Sequence, residues 1–117
     1  LVSLLIGVNN QYRGRPLDEY EAQFADLLER AIGFAGGEPG RVIVLAIPDW
    51  GVTPFAIQSG RDRAQIASQL DAMNAAAARI TTDRGARFID TAPASRERGG
   101  DVAMLADDGL HPSAALY

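Results

Sequence analysis

Apolar and polar positions fall along this chain in blocks whose lengths and periods predict three strands alternating with three helices. Leu1-Val2-Ser3-Leu4-Leu5-Ile6-Gly7-Val8 is a nearly unbroken apolar run, rich in branched residues. It predicts a strand buried on both faces, as in the interior of a parallel sheet. A doubly covered strand needs neighbours, so a run starting at residue 1 is expected of a piece of a larger domain. A helix follows, with Pro16 before it, Asp18 as cap and Glu21 completing a capping box. Tyr20, Phe24, Leu27, Leu28, Ala31 and Phe34 then share one helical face, and Gly36-Gly37 ends it.

Arg41 to Ile47 (RVIVLAI) predicts a second buried strand, stopped by Pro48, which cannot donate to a ladder. Pro48 to Gln58 reads as a long connection with two prolines, a glycine and the only tryptophan, Trp50. Ser59 and Asp62 mark the next helix start, and Ile66, Leu70, Met73, Ala77 and Ile80 repeat at helical spacing up to Gly85. Ala86 to Asp90 is a short third strand, residues 91–107 read as irregular, and Pro112 opens a last helix of barely one turn. So short a closing helix is again expected of a piece of a domain. Strand–helix alternation implies an α/β fold with a parallel sheet and right-handed crossovers, a single domain over 1–117. Ligands bind such sheets beyond the carboxyl ends of the strands. Asn9-Asn10, Asp49-Trp50, Asp90-Thr91 and the loop holding Asp108 and His111 all fall on that rim.

Composition narrows the function. The 117 residues carry a net charge of −4, which argues against a nucleic-acid partner, since phosphate binding needs a basic stripe. The pairs Arg13/Arg15, Arg61/Arg63 and Arg96/Arg98 are scattered among acids and read as solvated surface. Absence of cysteine removes disulfides, thiolate nucleophiles and thiolate metal sites. No apolar run is long enough to span a bilayer.

The chemistry is concentrated at the two ends. Asp107-Asp108-Gly109-Leu110-His111-Pro112-Ser113 holds the only histidine. Imidazole acid–base chemistry near neutral pH therefore rests on His111. Asp108, three residues earlier, is close enough for its carboxylate to fix the ring tautomer and leave the other nitrogen free to take a proton. The plain alternative is a polar loop opening a helix. Asn9 offers a neutral amide donor for a developing oxyanion; the alternative is that Asn9 and Asn10 only turn the chain. A metal site built from Asp90, Asp108 and His111 lacks a second histidine and motif spacing, so neither metal nor other cofactor is expected.

Together the two ends resemble the SGNH (GDSL-type) hydrolases. Gly7-Val8-Asn9-Asn10 looks like their G-x-N-D block, and Asp108-Gly109-Leu110-His111-Pro112 like their closing D-x-x-H-P block. Val42 to Gly51 is similar to bacterial members. The resemblance covers essentially the whole chain. It implies a flavodoxin-like three-layer α/β/α sandwich, here incomplete at its N-terminus, acting on a small ester substrate. It further implies His111 as general base, Asp108 as its orienter and Asn9 as oxyanion donor. Asn10, Asp49 and Trp50 are the expected substrate-binding residues, with Trp50, Pro48, Pro54 and Phe55 walling an acyl pocket or covering the sheet's end.

Two departures qualify this. Asn10 stands where the family usually has aspartate, and the block carrying the nucleophilic serine is absent. None of Ser3, Ser59, Ser68, Ser95 and Ser113 lies in a Gly-Asp-Ser context. A base without a nucleophile performs no acyl transfer, so this chain alone is expected to be inactive. The first strand would expose an apolar edge of the kind that recruits another chain. Its expected partner is the missing N-terminal segment or a second copy; the alternative function is a non-catalytic binding or assembly fragment.

Overall fold

The computed structural model describes residues 1–117. Three strands, β1 (Val2–Leu4), β2 (Val42–Leu45) and β3 (Arg87–Ile89), form a parallel sheet in the order β1-β2-β3. Five helices connect and follow them: α1 (Val8–Tyr12), α2 (Leu17–Phe34), α3 (Pro54–Ser59), α4 (Arg63–Asp83) and α5 (Ala92–Arg98). The expected α/β class with a parallel sheet is what forms.

The two long helices lie side by side against one face of the sheet. Successive crossovers of one hand in an unreversed strand order place them there. Val42 and Val44 on β2 meet Tyr20, Phe24 and Leu28 of α2 and Ile66, Leu70, Met73 and Ala77 of α4. All are buried, because the helical and strand periods aim these positions inward. The opposite face carries Ser3, Ile43, Leu45, Arg87 and Ile89, half-buried or exposed. One helical layer is therefore present in these residues.

Several expected elements differ. The apolar opening run does not form a doubly buried strand. β1 is three residues long, lies at the sheet's edge, and gives way after Leu4 to a turn and α1. Leu1, Leu5 and Ile6 are exposed. Helix α2 starts after Pro16 without a capping box, and the Asp18 carboxylate accepts from its neighbour Glu19 N–H. Phe34, at the helix's last turn, is 83% exposed. The Pro48–Gln58 connection contains a 3-10 turn (Trp50–Val52) and α3, whose first turn is capped by Thr53. Asp62 caps α4 as expected, whereas Ser59 ends α3 and donates to Ala56 C=O. Residues 92–98 form α5 rather than irregular chain. No helix follows Pro112; that residue pairs with Leu105 in an antiparallel bridge, and only a turn succeeds it.

One buried polar group holds the rim to the helical layer. Asn74, on α4, accepts from Ile47 N–H at 2.8 Å and donates to Ile47 C=O at 3.0 Å. The chain leaving β2 is thereby satisfied where no strand can reach it. Asn74→Ala strands both backbone groups and is expected to cost about 2–4 kcal/mol in urea denaturation. A loss below about 0.5 kcal/mol, the size of an ordinary surface change, would contradict this role.

Candidate active site

Because the sheet is parallel, the carboxyl ends of all three strands open onto one edge, and the site is built there. Gly7 turns the chain out of β1 at φ 127°, a conformation that L side chains rarely adopt. It is buried, and a Cβ would stand 2.6 Å from the Tyr20 ring and 2.7 Å from Ile47. Gly7 C=O accepts from Asn10 and Gln11 N–H and so opens α1. That helix presents Asn9 outward and sends Gln11 inward. Gln11 accepts from Trp50 Nε1–H at 2.7 Å and donates to Gln69 at 2.9 Å. Trp50 is thus buried with its one polar atom satisfied.

The histidine loop closes the same edge from the other side. The Leu105–Pro112 bridge gathers its base, with Ala106 N–H donating to His111 C=O and Ser113 N–H to Met104 C=O. Phe55 N–H donates to Gly109 C=O and ties the loop to α3. At its tip Asp108 Oδ1 accepts from Leu110 and His111 N–H, each at 2.9 Å. Its Oδ2 lies 2.5 Å from His111 Nδ1. An ionised carboxylate only accepts, so Nδ1 carries the hydrogen and Nε2 of the neutral ring has a free lone pair. The ring contact, then the two backbone N–H groups, hold the Asp108 carboxyl down at about 2.

Between these walls lies a cavity of about 420 Å³. Its lining is mainly apolar, with Leu5, Ile6 and Val8 after β1, Ile47, Pro48, Trp50 and Phe55 after β2, and Leu110 and Tyr117 from the end of the chain. Asn9 and His111 are among the few polar residues that reach it. The arrangement can hold an apolar group, accept a proton at Nε2 and donate an amide hydrogen nearby.

Three residues expected at the site are therefore brought together in the cleft: Asn9, Trp50 and His111, with Asp108 behind the ring. Asn10 and Asp49 do not line it. Asn10 donates to Gln23 on the outer side of α1. Asp49 is buried, accepts from Gly51 N–H, and pairs with Arg96 Nε at 2.9 Å. Its position after β2 resembled a site position, but the ion pair draws the carboxylate under the rim. Asp90 likewise turns away and accepts from Ala92 N–H at the start of α5.

Arg96 also reaches Asp71, Arg63 donates to Gly51 C=O, and the Arg61 guanidinium sits 3.9 Å from the Tyr12 ring centre. The reading of these arginines as solvated surface holds for the exposed Arg61 and Arg63 and is corrected for Arg96, which is half-buried and paired with Asp49 and Asp71. Gln11, Asn74 and Tyr12 are not marked in the sequence, since a lone amide or tyrosine in a helix carries no spacing signal.

The chain matches the GDSL-like Lipase/Acylhydrolase family over residues 1–117. It belongs to that family. No curated protein and no solved structure matches it. Membership in this hydrolase family implies a small-molecule substrate, and no helix is long and apolar enough to cross a membrane.

The serines of this GDSL-like chain lie apart from the cleft, none of them among its lining residues. Ser95 is buried, donating to Ala92 C=O and accepting from Asp49 N–H. Ser113 is turned to Ala103 C=O and to Ala115 N–H.

The depressed Asp108 carboxyl fixes the sign of a pH effect. Its hydrogen bonds favour the charged form, so they hold the loop above the ordinary carboxylate value of 3.8 and are lost as pH falls through about 2. A carbon-13 titration of the Asp108 carboxyl is expected to show its midpoint near 2. A midpoint near 3.8 would mean that the contact to His111 does not persist in solution.

Proposed function

We propose that the protein is a serine-type ester hydrolase and that residues 1–117 supply its base, orienter and oxyanion donor. The observation that carries this reading is that His111 and Asn9 line one apolar cleft, with Asp108 on His111 Nδ1. In this mechanism a serine Oγ attacks the ester carbonyl carbon while its proton passes to His111 Nε2. The Asn9 amide donates to the carbonyl oxygen as it becomes an oxyanion. Asp108 keeps the ring in the tautomer that can accept the proton, and the imidazolium then returns it to the departing alkoxide. Water, deprotonated by the same nitrogen, releases the acid and restores the serine. Trp50 walls the acyl part of the cleft, while Asp49 with Arg96 supports the rim beneath it. The nucleophile comes from a segment outside these residues, since none of the five serines stands at the cleft.

With p-nitrophenyl butyrate as substrate and the nucleophile segment in place, Asn9→Ala is expected to lower kcat on the order of a hundred- to a thousand-fold. Asp108→Asn is expected to lower it by about ten thousand-fold, through the wrong tautomer. His111→Ala should abolish hydrolysis, as should leaving the nucleophile segment out. Activity that survives in His111→Ala would overturn the assignment of the base.

One observation favours a second reading, an assembly fragment: β1 is hydrogen-bonded only to β2 and leaves its outer edge free. Such an edge takes up another strand. Light scattering is expected to show either a retained second polypeptide or a dimer. A single monomeric chain with no companion would count against edge pairing.

A further inference from the structure

We propose that the protein selects esters whose alcohol part carries an oxyanion such as a phosphate monoester, held by Arg13 and Arg15 beside the cleft. The proposal rests on the reading of Asn9 as the donor at the scissile carbonyl. A second depression, of about 180 Å³, adjoins the apolar cleft and is lined by Asn9, Asn10, Arg13, Arg15, Glu19 and Gln23. It has no hydrophobic lining residue. Asn9 is the residue common to both hollows. An ester seated with its carbonyl at Asn9 therefore has an apolar chamber on one side and a polar one on the other. The apolar lining suits the acyl chain. The ester oxygen stays at His111, which returns the proton to it, and the rest of the alcohol part extends past Asn9 to the polar side.

The charge there is defined. Arg13 and Arg15 form no ion pair within the chain and are exposed, and one carboxylate, Glu19, shares the depression with them. Two guanidinium groups against one carboxylate leave a net positive hollow on a protein whose overall charge is negative. The Glu19 carboxylate accepts from Gln23 Nε2, and Gln23 accepts from Asn10, so the floor is a linked row of polar groups. The two arginines are held on one rim by their backbone. Arg13 N–H donates to Asn9 C=O, Gly14 N–H to Gln11 C=O and Arg15 N–H to Asn10 C=O. Gly14, at φ 65°, makes the turn that allows this. Guanidinium forks recognise phosphate by paired charge-assisted hydrogen bonds.

The test uses binding, so it does not depend on turnover. Hexyl phosphate, hexanol and inorganic phosphate are each titrated into the nitrogen-15-labelled protein. Hexyl phosphate is expected to bind roughly tenfold or more tightly than hexanol and to shift signals of Arg13, Arg15, Tyr12 and Leu110 together. In the double variant Arg13→Gln/Arg15→Gln that preference should disappear. Equal affinity for the two probes, or a preference that survives in the double variant, would overturn the proposal. Inorganic phosphate binding as tightly as hexyl phosphate would overturn it too, by showing a site for a free anion rather than for part of an ester. Absence of this preference in the unaltered protein would leave the assignment of His111 standing, because that assignment is read from hydrolysis in His111→Ala. Conversely, a failed hydrolase assignment leaves the preference measurable, so the two outcomes are separable.

Discussion

The rim of this domain depends on the close approach of the Gly7 backbone to Tyr20 and Ile47. A side chain at that position would collide with both, and its backbone angle suits glycine. Because the chain turns there, α1 begins at Val8, and three consequences follow from one short helix. Asn9 faces the cleft, Gln11 anchors the indole of Trp50, and Tyr12 packs against Trp50 in a tilted pair with the Arg61 guanidinium over the Tyr12 ring. These parts of the cleft lining are thus set by one turn.

The histidine loop is supported differently. It has little burial to hold it, since the His111 side chain is 71% exposed and that of Asp108 50%. Its shape comes from local hydrogen bonds: the Leu105–Pro112 bridge, the Asp108 turn and the Gly109 carbonyl on α3. Local bonds of this kind orient a ring without contributing much to global stability. On the proposed reading that division is useful, because the base must be oriented and still open to a substrate proton.

Much of this was legible in the sequence where a residue's period or spacing carries the information. The buried faces of α2 and α4 follow from helical repeats, β2 from its branched run, and the Asp108–His111 pair from a three-residue offset that one loop can close. What escaped lacked such a signal. Val8 closes the apolar run of the expected strand and Asn9-Asn10 reads as the turn after it, so the five residues of α1 carry no helical repeat of their own, while β1 ends already at Leu4. Pro112 suits a helix start as well as a bridge, and the pairing with Leu105 decides between them. Asp49 follows a strand as a ligand-binding residue would, but Arg96, far along the chain, neutralises it under the rim. Arg13 and Arg15 are solvated charges as the sequence suggests, and what it does not show is that the turn at Gly14 sets them beside Asn9.

On the proposed reading, residues 1–117 hold the base half of a serine-type hydrolase site whose nucleophile lies elsewhere. The most direct test of this reading is the intact mass of the purified protein and any polypeptide retained with it, before and after treatment with a fluorophosphonate. An adduct is expected on a serine outside residues 1–117, formed at a rate that collapses in His111→Ala. An adduct on Ser3, Ser59, Ser68, Ser95 or Ser113, or labelling indifferent to His111, would contradict it.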